Sequence, residues 1–273
     1  MKTRLPDTCG AGIVLQEKSR NIKKIGEIET RHIIITISKN GKENLRQKMD
    51  TVINKFENRD CMEGMKEYPD GYFNLAVVDP PYGIGMSGGN VGYKGFNNLE
   101  RKDWDNVKPS PKYWKLLFKK SKNQIVWGGN YFALPGSRCF VVWDKGEGFK
   151  NRTYAEAEIA WTSFDRNIKI FKHDPLAKGD YHGKIHPTQK PVALYLWLLN
   201  NYAKQGDLIL DTHVGSASSL IACEKMGFNY VGYELDEDYY RDAQKRLAEF
   251  RMQTNLFDEP KEEIKPDQFR LNL

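Results

Sequence analysis

The 273-residue sequence predicts an α/β fold with a mostly parallel sheet covered by helices on both faces. Short apolar runs, such as residues 75–78 and 208–210, alternate with helix-like segments of roughly ten or more residues. This alternation is typical of βαβ units, whose strands are buried on both sides. A hydrophobic content of 40% supports a sizeable core. The length suits one large α/β domain or two small ones.

The pattern of elements sharpens after Val52. We predict a catalytic domain over residues 52–256, between a polar N-terminal extension (1–51) and a charged tail (257–273). Strands are expected at 73–78, in QIVWGG, CFVVWDK, LILD and YVGYEL, and in a hairpin formed by 157–164 and 167–171. Helices are expected over 109–121, after HPTQKP, in SASSLIACEKM before Gly227, and in the segment that follows YVGYEL.

Composition narrows the class of protein. The net charge of +6 is a moderate basic bias, compatible with a polyanionic partner but not proof of one. No window approaches the roughly 18 apolar residues of a membrane span, and the start lacks an apolar signal core, so we expect a cytoplasmic protein without a membrane partner. The four cysteines form no C-x-x-C pair. His182 and His186 are four residues apart, but Pro187 follows and no helix is expected there. Neither a metal site nor a disulfide framework is therefore predicted.

Acidic residues stand where three predicted strands end: Asp79, Asp211 and Glu234. In parallel sheets, ligands bind at these carboxyl ends. The second half, from LILD to YVGYELD, has the strand, small-residue turn, helix and acidic strand end of a nucleoside-binding βαβ unit, and Glu234 is the candidate acceptor for ribose hydroxyls. An ordinary βα turn with small residues packed for space is the alternative.

The turn Asp79-Pro80-Pro81-Tyr82 follows a buried strand. An ionised aspartate only accepts hydrogen bonds, and the two prolines remove backbone donors and stiffen the chain. Such a turn suits a substrate group with two N–H donors, namely an exocyclic amine, and Tyr82 adds a flat face for a heterocycle. A plain Pro-Pro turn is the alternative.

Residues 83–88 fit G-x-G-x-x-G literally, but more glycines follow and no helix is expected there. A dinucleotide site needs that helix N-terminus. We therefore interpret this stretch as a loop.

Three motifs in this order resemble those of the DNA amino-methyltransferases that use S-adenosylmethionine. Residues 79–82 match the D-P-P-Y signature, residues 186–191 match H-P-T-x-K-P, and residues 211–218 resemble the cofactor loop D-x-F-x-G-S-G-T. The permuted order, with the catalytic half before the cofactor half, is similar to the β class. The resemblance covers roughly residues 52 to 252.

The resemblance implies a Rossmann-like methyltransferase fold and site-specific methyl transfer from S-adenosylmethionine to the N6 amine of adenine in double-stranded DNA, after base flipping. It implies catalytic roles for Asp79, Pro80, Pro81 and Tyr82, with Tyr82 stacking on the extruded base. The implied cofactor contacts are Asp60, Cys61, Asp79, Thr188, Lys190, Asp211, Gly215, Ser216, Ala217 and Glu234. No metal is implied.

Two departures from the family pattern lie in the cofactor loop. His213 or Val214 replaces its aromatic residue, and Ala217 replaces its second glycine. Alanine is small enough to let the backbone approach the cofactor closely, but it disfavours a positive φ.

DNA contacts are expected in two insertions, at about 84–105 and 145–184. The first interleaves basic and aromatic residues, which suits phosphates and an opened base stack. The candidate DNA-binding residues are Lys94, Arg101, Lys102, Lys150 and Arg152.

Three other functions stay open at this point. Cytosine-N4 enzymes more often carry serine where this chain has Asp79, which favours adenine. Protein-glutamine methyltransferases use a related N-P-P-Y turn but place the cofactor loop first. A non-catalytic nucleic-acid-binding module has no reason to keep an acceptor turn and a ribose acid together.

The sequence decides neither the recognised DNA site nor the oligomeric state, with a homodimer among the alternatives. No nuclease motif is visible, so we expect a solitary enzyme.

Overall fold

The computed structural model describes residues 54–86, 102–152, 155–175 and 184–257. The predicted N-terminal extension and residues 258–273 of the predicted tail lie outside these ranges. So does most of the glycine-rich stretch that follows Met86.

The described residues form eight strands and five α-helices. The strands are β1 (Asn54–Asn58), β2 (Phe73–Val78), β3 (Ser121–Trp127), β4 (Phe140–Asp144), β5 (Ala157–Thr162), β6 (Lys169–Lys172), β7 (Leu208–Asp211) and β8 (Asn229–Glu234). The helices are α1 (Cys61–Lys66), α2 (Pro111–Lys120), α3 (Val192–Tyr202), α4 (Ser218–Met226) and α5 (Glu237–Phe257). Short 3-10 turns lie at Trp104–Asn106, Gly129–Tyr131 and Glu147–Phe149.

The eight strands make one mixed sheet in the order β1-β8-β7-β2-β3-β5-β4-β6. The first five are parallel to one another, β5 is antiparallel to both of its neighbours, and β6 is parallel to β4. Of the described strands, β5 alone therefore runs against the rest. The predicted Rossmann-like α/β class, with a mostly parallel sheet, is confirmed.

Helices cover both faces because successive strand residues point to opposite sides. In β2, Leu75 and Val77 enter one core, with residues of α3, α4 and α5. Ala76 and Val78 enter the other, with residues of α1 and α2. The continuous apolar run of β2 is thus buried on both faces, as parallel strands require.

Two helix boundaries follow from local chemistry. Pro111 begins α2 at a position where its missing N–H costs nothing, and Gly227 ends α4 with a left-handed φ of 71°. The N–H of Gly227 donates to the Glu224 carbonyl, and the N–H of Phe228 donates to the Cys223 carbonyl. The predicted end of this helix at Gly227 is confirmed.

The predicted hairpin of residues 157–164 and 167–171 is wrong. These segments are β5 and β6, but β6 pairs in parallel with β4. Both edges of β5 are already occupied, by β3 and by β4, so β6 pairs with the outer edge of β4.

The parallel run β1-β8-β7-β2 brings four strand ends to one edge of the sheet. They are Asn58, Glu234, Asp211 and Val78, the last followed directly by Asp79. The candidate site lies at this edge. Within the described residues, no helix combines the length and apolar character that a membrane crossing requires.

Candidate active site

Asp79 accepts hydrogen bonds on both carboxylate oxygens at the end of β2. The hydroxyl of Tyr82 donates to Oδ1 at 2.5 Å, and the Lys190 ammonium donates to Oδ2 at 2.6 Å. Burial raises the pKa of Asp79, while the nearby Lys190 charge opposes that rise. The D-P-P-Y and H-P-T-x-K-P motifs therefore meet at one ion pair, between Asp79 and Lys190.

Lys190 is shared between two carboxylates. Its Nζ lies 3.0 Å from Glu158 on β5, and Glu158 pairs in turn with Lys145 at 2.8 Å. The Lys190 side chain is 3% exposed. Although burial alone would raise the pKa of Glu158, Lys190 and Lys145 lower it to about 2. Each of these four charges thus has a partner of opposite sign, which is the condition under which buried charges are tolerated.

A cavity of about 600 Å³ opens at the ends of β1, β8, β7 and β2. Eight of the ten predicted cofactor residues line it: Asp60, Cys61, Asp79, Thr188, Lys190, Gly215, Ser216 and Glu234. The other two, Asp211 and Ala217, are not in its lining.

Asp211 faces the cofactor loop from behind. Its Oδ2 accepts from Ser219 Oγ at 2.5 Å, and its Oδ1 accepts from the His213 N–H at 3.0 Å. Burial raises the pKa of this carboxyl to about 7. Asp211 therefore stabilises the conformation of the loop by hydrogen bonds and does not line the cavity.

Glu234 joins the cofactor loop to the end of β8. Its Oε2 accepts from the Gly215 N–H at 2.8 Å, and its Oε1 accepts from the Asp236 N–H at 3.0 Å. Asp60 has a comparable local bond, because its Oδ1 accepts from the Met62 N–H at 2.7 Å and so caps α1. Each carboxylate lines the cavity while its backbone contacts fix its position.

Ala217 occupies a left-handed conformation with φ of 62°, directly before α4. Gly215, two residues earlier, has φ of 54°. The departure from the family pattern thus falls at a backbone position that glycine adopts without cost and alanine does not. The Ala217 side chain is fully buried, so small size is also required there.

A second cavity of about 390 Å³ meets the first at the catalytic turn. Both are lined by Asp79, Trp104, Thr188 and Lys190. Pro81 lines the larger cavity only, whereas Pro80 and Tyr82 line the smaller one only. Asp79 therefore stands at the boundary between two compartments.

The ring of Tyr82 is stacked on Tyr131, with centroids 4.9 Å apart and planes inclined by 15°. Gly128 leaves no room for a side chain, because a Cβ there would lie 2.3 Å from the Tyr82 ring. One face of Tyr82 is therefore covered by another aromatic ring. Stacking of Tyr82 on a base stays a prediction. Tyr131 joins Tyr82 and Trp104 as a third aromatic ring in the lining of the smaller cavity.

Aromatic rings cover the larger cavity near His186. Trp104 lies 5.1 Å from the His186 ring, which packs edge-on against Tyr239 at 4.3 Å. Burial lowers the pKa of His186 to about 3, so this ring is neutral at physiological pH. Lys102 lies over the Tyr239 ring at 4.6 Å.

The predicted DNA-binding residues are in different situations. Lys94 and Arg101 lie outside the described residues. The Lys102 ammonium is 2.6 Å from Asp236 and 2.9 Å from Asp238, so a phosphate would compete with two carboxylates for it. Lys150 pairs with Glu147 at 2.8 Å on the surface, and Arg152 lies over the Phe149 ring at 5.6 Å. DNA contacts at all five stay predictions.

Sequence reasoning missed Glu158, Tyr131 and the local role of Asp105. Glu158 carried a signal, because a carboxylate inside the apolar strand AEIAWT indicates a buried cationic partner. Tyr131 and Asp105 carried none, since a tyrosine or an aspartate between predicted elements is ordinary on a surface.

The comparisons with known proteins agree with the motifs. The family model described as DNA methylase (N6_N4_Mtase) matches residues 126–245. The Type II methyltransferase M.HinfI of Haemophilus influenzae is 24% identical over 279 residues, covering 82% of this chain and 76% of that protein. YubD of Escherichia coli (strain K12) is 26% identical over 220 residues, covering 72% and 91%. The solved PvuII DNA methyltransferase, described as cytosine-N4-specific, aligns with a TM-score of 0.52 at 13% identity, covering 75% of this chain and 92% of that one.

Proposed function

We propose that this chain, which resembles the N4/N6 DNA methyltransferases, transfers a methyl group from S-adenosylmethionine to an exocyclic amine of a DNA base. The observation that carries the proposal is the position of the acceptor turn. Asp79 stands where the larger cavity, lined by residues 212–216, meets the smaller, aromatic-lined cavity, and Pro80 follows it in the lining of the smaller one. A donor and an acceptor of a methyl group need such a shared boundary.

The chemistry of the larger cavity fits S-adenosylmethionine. Its carboxylates, Asp60, Glu234 and Asp79, suit ribose hydroxyls and positive charge, and exposed apolar side chains at its mouth, Val107 and Leu235, suit a purine ring. Lys190 also lines this cavity, and its ammonium is paired with Asp79 and Glu158. When bound, the cofactor supplies a methyl group on a sulfonium, which is a strong electrophile.

The catalytic turn supplies acceptors for an amine. The Asp79 carboxylate and the Pro80 carbonyl can each accept one amine hydrogen, which favours a pyramidal nitrogen whose lone pair is free to react. As that nitrogen would bond to the methyl carbon, the carbon–sulfur bond would break and the nitrogen would gain positive charge. The Asp79 carboxylate would stabilise this charge until the methylated amine loses one proton to solvent. Tyr82 and Lys190 hold the carboxylate in one orientation throughout. Catalysis in this scheme is positioning and electrostatics.

The smaller cavity is the proposed site for a base extruded from the duplex. An exocyclic amine inside a base pair is not accessible to the turn, so the base must leave the stack. Tyr131, stacked on Tyr82, and the apolar residues Ile84, Met86 and Ile159 make the lining suitable for a flat heterocycle.

Adenine N6 is the proposed target, because the resemblance associates an aspartate at this turn with adenine enzymes. Cytosine N4 is the second candidate, since a carboxylate accepts from the cytosine amine equally well. Both targets are consistent with a turn that offers acceptors.

Methyl transfer to duplex DNA tests the proposal. Wild-type protein is incubated with S-adenosylmethionine and DNA, and the hydrolysed nucleosides are analysed for N6-methyladenine and N4-methylcytosine. We expect N6-methyladenine, and a loss of at least about 100-fold in Asp79→Ala, the scale of removing a charge-stabilising group. Asp165→Ala, an aspartate whose side chain is 88% exposed, is the matched control and should keep full activity. Undiminished methylation by Asp79→Ala would rule out the assigned role, and N4-methylcytosine alone would move the target to cytosine.

A further inference from the structure

The carboxylate of Asp105 holds the backbone of the segment that follows the two prolines. Its Oδ1 accepts from the N–H groups of Tyr82 at 2.6 Å and Gly83 at 3.0 Å, and its Oδ2 accepts from the Met86 N–H at 2.7 Å. The Asp105 carbonyl also accepts from the Gly85 N–H at 3.2 Å. Asp105 is 2% exposed. Three charge-assisted bonds, from residues 82, 83 and 86, make this a strong local anchor.

These bonds act on the donors nearest to Asp79. Because Pro80 and Pro81 have no N–H, Tyr82 carries the first backbone donor after Asp79. Asp105 engages that donor and the next one, at Gly83. With these two N–H groups bonded to Asp105, the turn presents acceptor atoms to the smaller cavity. The hydrogens of an incoming amine then meet no free N–H group of Tyr82 or Gly83.

The same bonds fix the ring of Tyr82. With its backbone held at Asp105, Tyr82 places its hydroxyl 2.5 Å from Asp79 Oδ1. The orientation of the Asp79 carboxylate thus depends on two bonds in series, from Asp105 to the Tyr82 backbone and from the Tyr82 hydroxyl to Asp79.

The segment that carries Asp105 also contacts the other cavity. Lys102 pairs with Asp236, two residues beyond Glu234, and Trp104 packs on His186. Residues 102–106 therefore extend from the rim of the larger cavity to the catalytic turn.

We propose that Asp105 is a positioning residue for methyl transfer: it sequesters the N–H groups of Tyr82 and Gly83 and so holds the turn Asp79–Tyr82 as an acceptor site for an amine. This inference rests on the proposed function. It assigns Asp105 no contact with the methyl group or the amine.

The test compares Asp105→Asn and Asp105→Ala with Asp103→Asn, an exposed aspartate two residues away. Asparagine keeps the shape but has one acceptor oxygen and no charge. Three quantities are measured in each variant: kcat for methyl transfer, the Kd of S-adenosylmethionine by calorimetry, and amide hydrogen exchange resolved at Tyr82, Gly83 and Met86.

For Asp105→Ala, which removes both acceptor oxygens, we expect kcat to fall at least about tenfold and exchange at the three amides to rise at least about tenfold, since bonds to charged acceptors are worth that much. The Kd of S-adenosylmethionine should change less than about twofold, because Asp105 is not in the lining of the larger cavity. The amides of β2 should exchange as in wild type. Asp105→Asn should show smaller effects in the same direction, largest at Met86, because its single amide oxygen can still accept from Tyr82 and Gly83. Asp103→Asn should show none.

Two results would overturn the inference. One is unchanged exchange at Tyr82 and Gly83 in Asp105→Ala. The other is a loss of kcat accompanied by equal losses in cofactor affinity and in β2 protection, which would indicate general destabilisation. A wild-type chain without methyl transfer would refute the proposed function instead, and the exchange measurement would still decide whether Asp105 holds the turn.

Discussion

Lys190 and Asp79 form a buried ion pair, with Nζ 2.6 Å from Oδ2, across 111 residues of sequence. A second carboxylate, Glu158, lies 3.0 Å from the same ammonium. Attraction between buried charges offsets their desolvation only when each has its partners, so the three side chains depend on one another. Substitutions among them should affect stability and activity in separable ways.

Lys190→Met should destabilise the fold by about 3 kcal/mol, the lower end for breaking a buried ion pair, because the partly buried Asp79 and Glu158 lose their shared cation. Urea unfolding at pH 7 measures this change. Adding Asp79→Asn to that variant removes the carboxylate that has lost its cation, whereas Glu158 keeps Lys145, and should recover part of the stability without restoring methyl transfer. A loss below about 1 kcal/mol, the scale of an exposed ion pair, would contradict the dependence described above.

Glu158→Gln should move the acid limb of the pH–kcat profile to lower pH. Glu158 contributes to the raised pKa of Asp79, after burial and against Lys190, so removing its charge lowers that pKa. Asp79 then stays ionised, and able to accept, at lower pH. The control is Lys145→Gln, which removes the neighbouring cation of Glu158 and should not move the limb downward. An acid limb that moves to higher pH in Glu158→Gln would contradict the effect of Glu158 on the pKa of Asp79.

Asp211→Asn should change how stability depends on pH. The folded-state pKa of Asp211 is about 7, above its ordinary 3.8, so the folded chain binds more protons than the unfolded chain between these values. Stability from this group is therefore lost as pH rises from about 4 to about 7. The Tm of the variant relative to wild type should rise between pH 5 and pH 8. A constant difference in Tm would show that Asp211 does not titrate in this range.

Ala217→Gly should stabilise the fold by about 0.5–1 kcal/mol, because relief of a left-handed alanine exceeds the entropy that glycine adds to the unfolded chain. The matched control is Ala222→Gly, inside α4, where glycine should cost about 1 kcal/mol. Thermal unfolding compares the two. Equal losses in both would mean that packing of the Ala217 methyl group outweighs the backbone strain.

The sequence was sufficient to predict which acidic residues lie at the ends of neighbouring strands, where the candidate site is, and less so to predict the orientation of their side chains. Strand ends at Asp79 and Glu234 follow from apolar runs that stop at an acid, and parallel pairing brings them together. The side-chain direction of Asp211 does not follow, because it depends on hydrogen bonds from Ser219 and from the His213 backbone.

Contacts between distant segments were the hardest part to predict. Asp105 contacts Tyr82 across 23 residues of sequence, and no local pattern distinguishes it from the exposed Asp103. The pairing of β6 with β4 was missed because sequence neighbours were expected to pair, whereas the free sheet edge lay one strand further away.

The reversed direction of β5 determines where the chain tolerates changes in length. Because β5 is antiparallel, its first residues, including Glu158, lie beside the last residues of β4 at the catalytic edge, and Lys145 follows directly. An insertion in the connection from β4 to β5 would shift Lys145 against Glu158. The connection from β5 to β6 lies at the opposite edge, so a variant lengthened there offers a place for a tag or fused domain that leaves the charged group intact.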